Sequence, residues 1–207
     1  MPSAKATMTP RETVAAFDFD GTLTAHDSFF RFLAWRRSPI KLTADLVMTS
    51  PLLILYAARL VGNETHKMAM FSRQFAGVSV QAYQQRAREF SQIQISGLIR
   101  PEAMHRLKYH QTMGHKVVIV TASLTDWISP WAESQGIIQV IGSEAEIDNG
   151  RLTGRLKGAN CHGPEKVRRL LALYPNRSTY TLHAYGDSTG DKALLAVADH
   201  AFYRRFT

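Results

Sequence analysis

Short apolar runs that alternate with helical patterns constrain this chain more than any other feature it has. Val14–Phe19 (VAAFDF) is the first run and ends in carboxylates. Lys116–Val120 (KVVIV) follows Gly114, Ile137–Ile141 (IIQVI) follows Gly136, Thr179–Tyr185 is a fourth and Ala201–Tyr203 a fifth. Runs this short, bounded by glycines, read as buried strands. Helical spacing fills the gaps at Pro101–Met113, Thr125–Gln135, Pro164–Tyr174 and Asp191–Ala198. Pro101 and Pro164 suit a first helical turn, where a missing N–H costs little. The expectation is an α/β fold, a mostly parallel sheet covered on both faces. The 207 residues, 45% hydrophobic, suffice for one packed core with an insertion.

Two stretches depart from the alternation. Glu144–Leu156 holds Asn149-Gly150 between two extended runs, which predicts a tight hairpin. The stretch from Asp27 to Ile99 reads helical throughout, with breaks near Ser38-Pro39, Gly62-Asn63 and Gly77. It is far longer than a simple crossover and predicts a helical cap over the carboxyl ends of the strands. The expected organisation is a loose arm over 1–12, a core from 13–26 and 100–207, and a cap from 27–99. The arm is polar, carries Pro2 and Pro10, and lacks the apolar stretch of a secretory signal. Cys161 is the sole cysteine, which excludes an intrachain disulfide framework and fits a reducing cytoplasm. It reads as a small semi-buried residue.

Net charge is +8, and Asp27–His115 alone carries twelve Lys/Arg against five Asp/Glu. An anionic substrate or membrane surface is one reading of this excess; a solvated Arg-rich helical face is the other. Nucleic acid is disfavoured, because no compact basic run interleaved with aromatics is present. Leu46–Val61 (LVMTSPLLILYAARLV) is apolar nearly all round, yet its sixteen residues include Pro51 and fall short of the ~20 that span a bilayer. A buried cap helix is the favoured expectation; an interfacial helix touching lipid, with Arg59, Lys41 and Arg36-Arg37 nearby, is the alternative.

The chemistry concentrates at the predicted strand tips. In Asp18-Phe19-Asp20-Gly21-Thr22, residues i and i+2 of a strand point the same way, where open α/β sheets place ligands. One carboxylate can attack phosphorus and the other can move protons. Gly21 lets the backbone turn and leaves N–H groups for phosphate oxygens. Thr121, with Ala122 and Ser123 after it, ends the second strand; a hydroxyl and a free N–H there suit a phosphoryl oxygen, with Ser123 placed to cap the next helix. Lys166, in the first turn after Gly163-Pro164, opposes the helix dipole and needs an anion. Asp187 and Asp191, in Gly186-Asp187-Ser188-Thr189-Gly190-Asp191, suit a hard cation, and acids at a helix N-terminus are the plainer alternative.

Together, in this order, the four motifs resemble the signature of the haloacid dehalogenase superfamily from Val14 onward. The helical insertion resembles that family's type 1 cap, and the Gly-x-x-Lys motif resembles its subfamily IB, the phosphoserine-phosphatase-like branch. The resemblance implies a Rossmann-like core and a magnesium-dependent phosphomonoester hydrolase. Asp18 would be nucleophile and metal ligand, and Asp20 the acid/base with its carbonyl on Mg2+. Thr121, Ala122, Lys166 and Gly21 would hold phosphate, and Asp187 with Asp191 would complete the metal site. Asp27, nine residues after Asp18, matches an acid that reads the substrate amine in phosphoserine phosphatases, and a helix cap is its alternative role. The apolar, basic cap looks more like that of bacterial phosphatidylglycerophosphate phosphatases, which implies a lipid phosphomonoester and peripheral contact with anionic lipid. A soluble metabolite such as phosphoserine is the alternative substrate, and a non-catalytic phosphate-binding module the alternative class. Oligomeric state is not legible.

Overall fold

The computed structural model describes residues 11–58 and 63–206. Five parallel strands form the central sheet in the order β3-β2-β1-β6-β7: β1 Glu12–Phe17, β2 Lys116–Leu124, β3 Gln139–Ser143, β6 Tyr180–Gly186 and β7 His200–Tyr203. β1 is central and wholly apolar from Val14 to Phe17, as a strand buried on both faces requires. Ala15 and Phe17 face one apolar layer; Val14 and Ala16 face the other, with Val118, Val120, Leu182 and Ala184. The strand starts earlier than the expected arm allowed: Glu12 pairs with Tyr180 in the ladder and its carboxylate meets Lys116. The rest of that arm, 1–10, lies outside the described residues.

Helices α6 (Pro101–Thr112), α7 (Thr125–Ser134), α8 (Pro164–Leu173) and α9 (Lys192–Ala196) cover the sheet. The predicted hairpin is present as β4 (Ala145–Asp148) and β5 (Arg151–Leu156), antiparallel. Its two turn residues, Asn149 (φ 46°) and Gly150 (φ 73°), both take the left-handed conformation that a tight hairpin needs.

Between β1 and β2 runs an all-helical insertion: α1 Ser28–Ala34, α2 Pro39–Ala57, α3 Asn63–Phe75, α4 Val80–Phe90, a wider-wound turn at Ser91–Ile95, and α5 Ser96–Leu98. It enters and leaves side by side, with Ala25 N–H donating to Leu98 and Arg100 N–H to Leu23. The hairpin grips its far side: Gly77 N–H donates to Leu152, Leu152 N–H to Val78, and Val80 N–H to Gly150. Aromatic rings seal the seam between insertion and core. Trp127 of α7 stacks on Phe32 of α1 with centroids 4.4 Å apart, and its indole N–H donates to Ser28 Oγ.

Helix α2 corrects the expectation of a buried apolar segment. Its buried side carries Asp45 and Thr49, while Val47, Met48 and Ile54 face outward. Asp45 accepts hydrogen bonds from Arg37 and Arg73, and Thr49 Oγ1 lies 3.2 Å from His66 Nε2. Arg73 and His66 thus give α2 polar partners on α3, while Leu42 of α2 packs against the apolar core. Residues 59–62, including Arg59 and the predicted break at Gly62, lie outside the described residues.

Four histidines cluster against β6. His110 Nδ1 lies 2.8 Å from His115 Nδ1 and His110 Nε2 lies 2.9 Å from the Tyr185 hydroxyl. The His183 ring stands 5.1 Å from that of His110 and 4.5 Å from that of His200. Burial pushes His110 down to about 4, helped by His183, His115 and Arg106. Burial, then His200, His115 and Arg106, also lower His183, against the pull of Asp199. The folded state thus resists protons that free imidazoles accept near 6.5. This stability is whole above that value and is lost as pH falls from it towards about 4. Urea midpoints should therefore drop between pH 7 and pH 5, and His110→Gln should flatten the drop; equal slopes in both proteins would refute this role.

Candidate active site

The site begins where β1 ends. Asp18 N–H donates to the Tyr185 carbonyl at 2.9 Å, which fixes the carboxylate-bearing residue against β6. The chain then bends through Asp20 (φ −75°, ψ 122°) and Gly21 (φ 82°). A Cβ on Gly21 would stand 2.4 Å from Asp187 Oδ2, so both conformation and space demand glycine. The Gly21 N–H makes only a long 3.4 Å contact to Thr24 Oγ1. Thr22, buried beside it, donates to Asp187 Oδ1 at 3.1 Å and reaches Asp18 Oδ2 at 3.4 Å.

Lys166 enters from the first turn of α8. Its Nζ lies 2.5 Å from Asp18 Oδ1 and 2.6 Å from Asp191 Oδ1, with all three side chains buried. Asp191 Oδ2 accepts from Asp187 N–H, Ser188 N–H and Ser188 Oγ, which folds the β6–α9 turn around it. Gly186 permits this, since a Cβ there would come 2.4 Å from Asp191 Cβ. The electrostatics follow from burial and this lysine. Burial pushes Asp18 up to about 7 against the pull of Lys166. Burial also raises Asp187. Asp191 resists its own burial, because Lys166 and the Ser188 bonds hold it below the ordinary carboxylate range. Lys166 is likewise held charged against burial by Asp18 and Asp191.

The Asp20 side chain takes a separate course. Its Oδ1 accepts from Ser28 N–H at 2.6 Å, at the start of α1, and its Oδ2 from Ser123 Oγ at 2.5 Å. Burial raises its carboxyl, then the neighbouring Asp27 charge, while Ser123 and Ser28 oppose. Ser123 is therefore not the cap expected of it: α7 starts after Leu124 with no side-chain cap, and the Ser123 hydroxyl is spent on Asp20. The β2–β3 ladder shifts between Val120 and Leu124, which takes Thr121 to Ser123 out of regular pairing. Thr121 is buried there, its Oγ1 accepting from Ser123 N–H at 3.1 Å. Asp27 caps α1 through Phe30 N–H, as one alternative foresaw, and its other oxygen meets Lys67 Nζ at 2.5 Å.

Asp18, Asp187 and Asp191 each offer an oxygen within 4.8 Å of the others. Three carboxylates face one lysine, and the donors are all hard oxygens, so the cluster fits a small divalent cation. Both oxygens of Asp191 and Oδ1 of Asp18 are occupied by hydrogen bonds, whereas Oδ2 of Asp18 and Oδ1 of Asp187 meet the Thr22 hydroxyl. Cys161 is fully buried nearby and burial pushes its thiol up to about 11, which keeps it inert. Thr22, Ser28, Ser123 and Lys67 are the partners the sequence reading assigned no such role. Thr22 stood inside the first motif, whereas Lys67, forty residues from Asp27, carried no local signal.

The chain belongs to the haloacid dehalogenase-like hydrolases, a family whose pattern it matches over residues 15–196. Protein CicA of Caulobacter vibrioides is 38% identical to it over 195 residues, covering 93% of this chain and 86% of that one. A Bordetella pertussis protein of unknown function has the same fold, with a TM-score of 0.72, 22% identity and coverage of 90% and 86%. A phosphoserine phosphatase from T. onnurineus superposes with a TM-score of 0.57 at 20% identity, over 95% and 86% of the two chains.

Replacing Lys166 by Met would leave two buried acids without their shared counter-charge. The expected loss is about 3–5 kcal/mol of folding stability, read from urea denaturation at pH 8. A loss under about 1 kcal/mol would place the lysine outside the framework.

Proposed function

We propose that this protein is a magnesium-dependent phosphomonoester hydrolase working through an aspartyl-phosphate on Asp18. The observation that carries the reading is the buried Asp18 carboxylate at a strand tip, one oxygen on Lys166 and the other beside the Thr22 hydroxyl that also contacts Asp187. Family membership and the fold shared with phosphoserine phosphatases support it.

In this mechanism an Asp18 oxygen bonds to phosphorus as the bond to the leaving oxygen breaks, and Asp20 gives that oxygen its proton. Asp20 then takes a proton from water, which attacks phosphorus and frees Asp18 and phosphate. Ser28 and Ser123 aim the Asp20 carboxyl. Lys166, the Thr121 hydroxyl and the N–H groups of Gly21 and Ala122 neutralise the phosphoryl oxygens, so rate comes from positioning and electrostatics. Asp18, Asp187 and the Asp20 carbonyl would hold magnesium, with Asp191 supporting, and the ion would supply charge screening between nucleophile and phosphate. The helical insertion acts as a cap over this site.

For substrate, the reading is a lipid-borne phosphomonoester of the phosphatidylglycerophosphate type, met in the cytoplasm at the inner face of a membrane. The outward apolar side of α2 supports it. A soluble phosphomonoester, including phosphoserine, is the second reading, supported by Asp27; an incoming amine would have to displace Lys67 from that acid.

The test is magnesium-dependent phosphate release from phosphatidylglycerophosphate, phosphoserine and para-nitrophenyl phosphate. Asp18→Asn should abolish turnover, and Asp20→Asn should cost about 10²–10⁴-fold in kcat. Chelation should remove activity and added Mg2+ restore it. Phosphate binding without release from any substrate would replace the enzyme reading by a binding module.

A further inference from the structure

We propose that the outward side of α2 docks the protein on an anionic lipid bilayer. The helix is inverted in polarity. Its side against the protein carries Asp45 and Thr49, each 2% exposed, whereas Ile40 is 84%, Val47 62%, Met48 64% and Ile54 70% exposed. Ile40, Val47 and Ile54 recur every seven residues and form one stripe along the helix. Ala44 and Pro51, between them, are exposed as well. A surface helix of a water-soluble body buries its apolar stripe; this one places the stripe where water would be, and hydrogen bonds hold the opposite side.

Charge selects the occupant. Lys41 and Asp45 are the charged residues of α2, and Asp45 is buried on Arg37 and Arg73, so the outward side offers no acid. Exposed Lys41 stands one residue after Ile40 in the stripe, and exposed Arg31 and Arg36, the latter paired with Glu89, precede α2 along the chain. Anionic headgroups match a basic approach and an apolar stripe together. A second copy, in a chain of net charge +8, would bring like charges together. Among the described residues no helix is long and apolar enough to cross a membrane, so α2 lies along the interface over about 28 Å at 1.5 Å per residue. The surface bears on the lipid-substrate reading, yet its test needs no turnover.

The experiment is sedimentation of the full chain with vesicles of phosphatidylcholine alone or with phosphatidylglycerol, at low and high salt, alongside light scattering without lipid. The expected result is pelleting with phosphatidylglycerol vesicles that weakens with salt. Val47→Asp with Ile54→Asp should cut it at least tenfold while the circular dichroism spectrum stays unchanged. Lys41→Glu should cut it less and blunt the salt dependence. No preference for anionic vesicles, equal pelleting by the double variant, or a dimer in solution that the double variant dissolves would each overturn the proposal. Failure to hydrolyse any phosphomonoester would overturn the enzyme reading and leave this result standing.

Discussion

A single buried ammonium group ties the catalytic end of the sheet together. Lys166 reaches from α8 to Asp18 after β1 and to Asp191 after β6, and so joins three segments far apart in sequence. Burying an ammonium costs several kcal/mol unless it is paired, and here two carboxylates offset that cost. The same pairing holds Asp191 charged in spite of its burial and opposes the rise that burial imposes on Asp18. Gly186 follows from it, because it yields its side-chain space to Asp191, and Gly21 does the same for Asp187, which Thr22 holds. The lysine therefore sets the spacing of the groups proposed to act on phosphate.

How much of this was legible in the sequence depended on whether the signal was local. The strands of the sheet and the Asn149-Gly150 turn were readable because apolar runs and left-handed turns are written in adjacent residues. The acids and Lys166 were readable because their order along the chain follows the strand tips. Ser123 misled, since a hydroxyl before a helix is usually a cap, and here a carboxylate from the bend after β1 claims it. Lys67 was invisible, because nothing near Asp27 announces a partner forty residues away. The start of β1 at Glu12 was hidden by a polar residue whose backbone still pairs.

Helix α2 teaches the opposite lesson. Its composition favours burial over an interfacial position, yet Val47, Met48 and Ile54 face outward. Asp45 and Thr49 decide the orientation, because a buried carboxylate with two arginine partners outweighs the gain from turning valine and methionine inward. A few polar positions within an apolar helix are thus the ones that reveal which way it lies.

The seam between the sheet domain and the helical insertion passes through Trp127, which stacks on Phe32 and donates to Ser28, itself the donor that holds Asp20. The chain thereby carries a native fluorophore at the contact between its sheet and its helical insertion. Parting them would wet the indole and shift its emission to longer wavelength. Trp131, on the same helix and packed against Phe19, would report the core side of that joint. The protein's own light could then follow access to the site without any label.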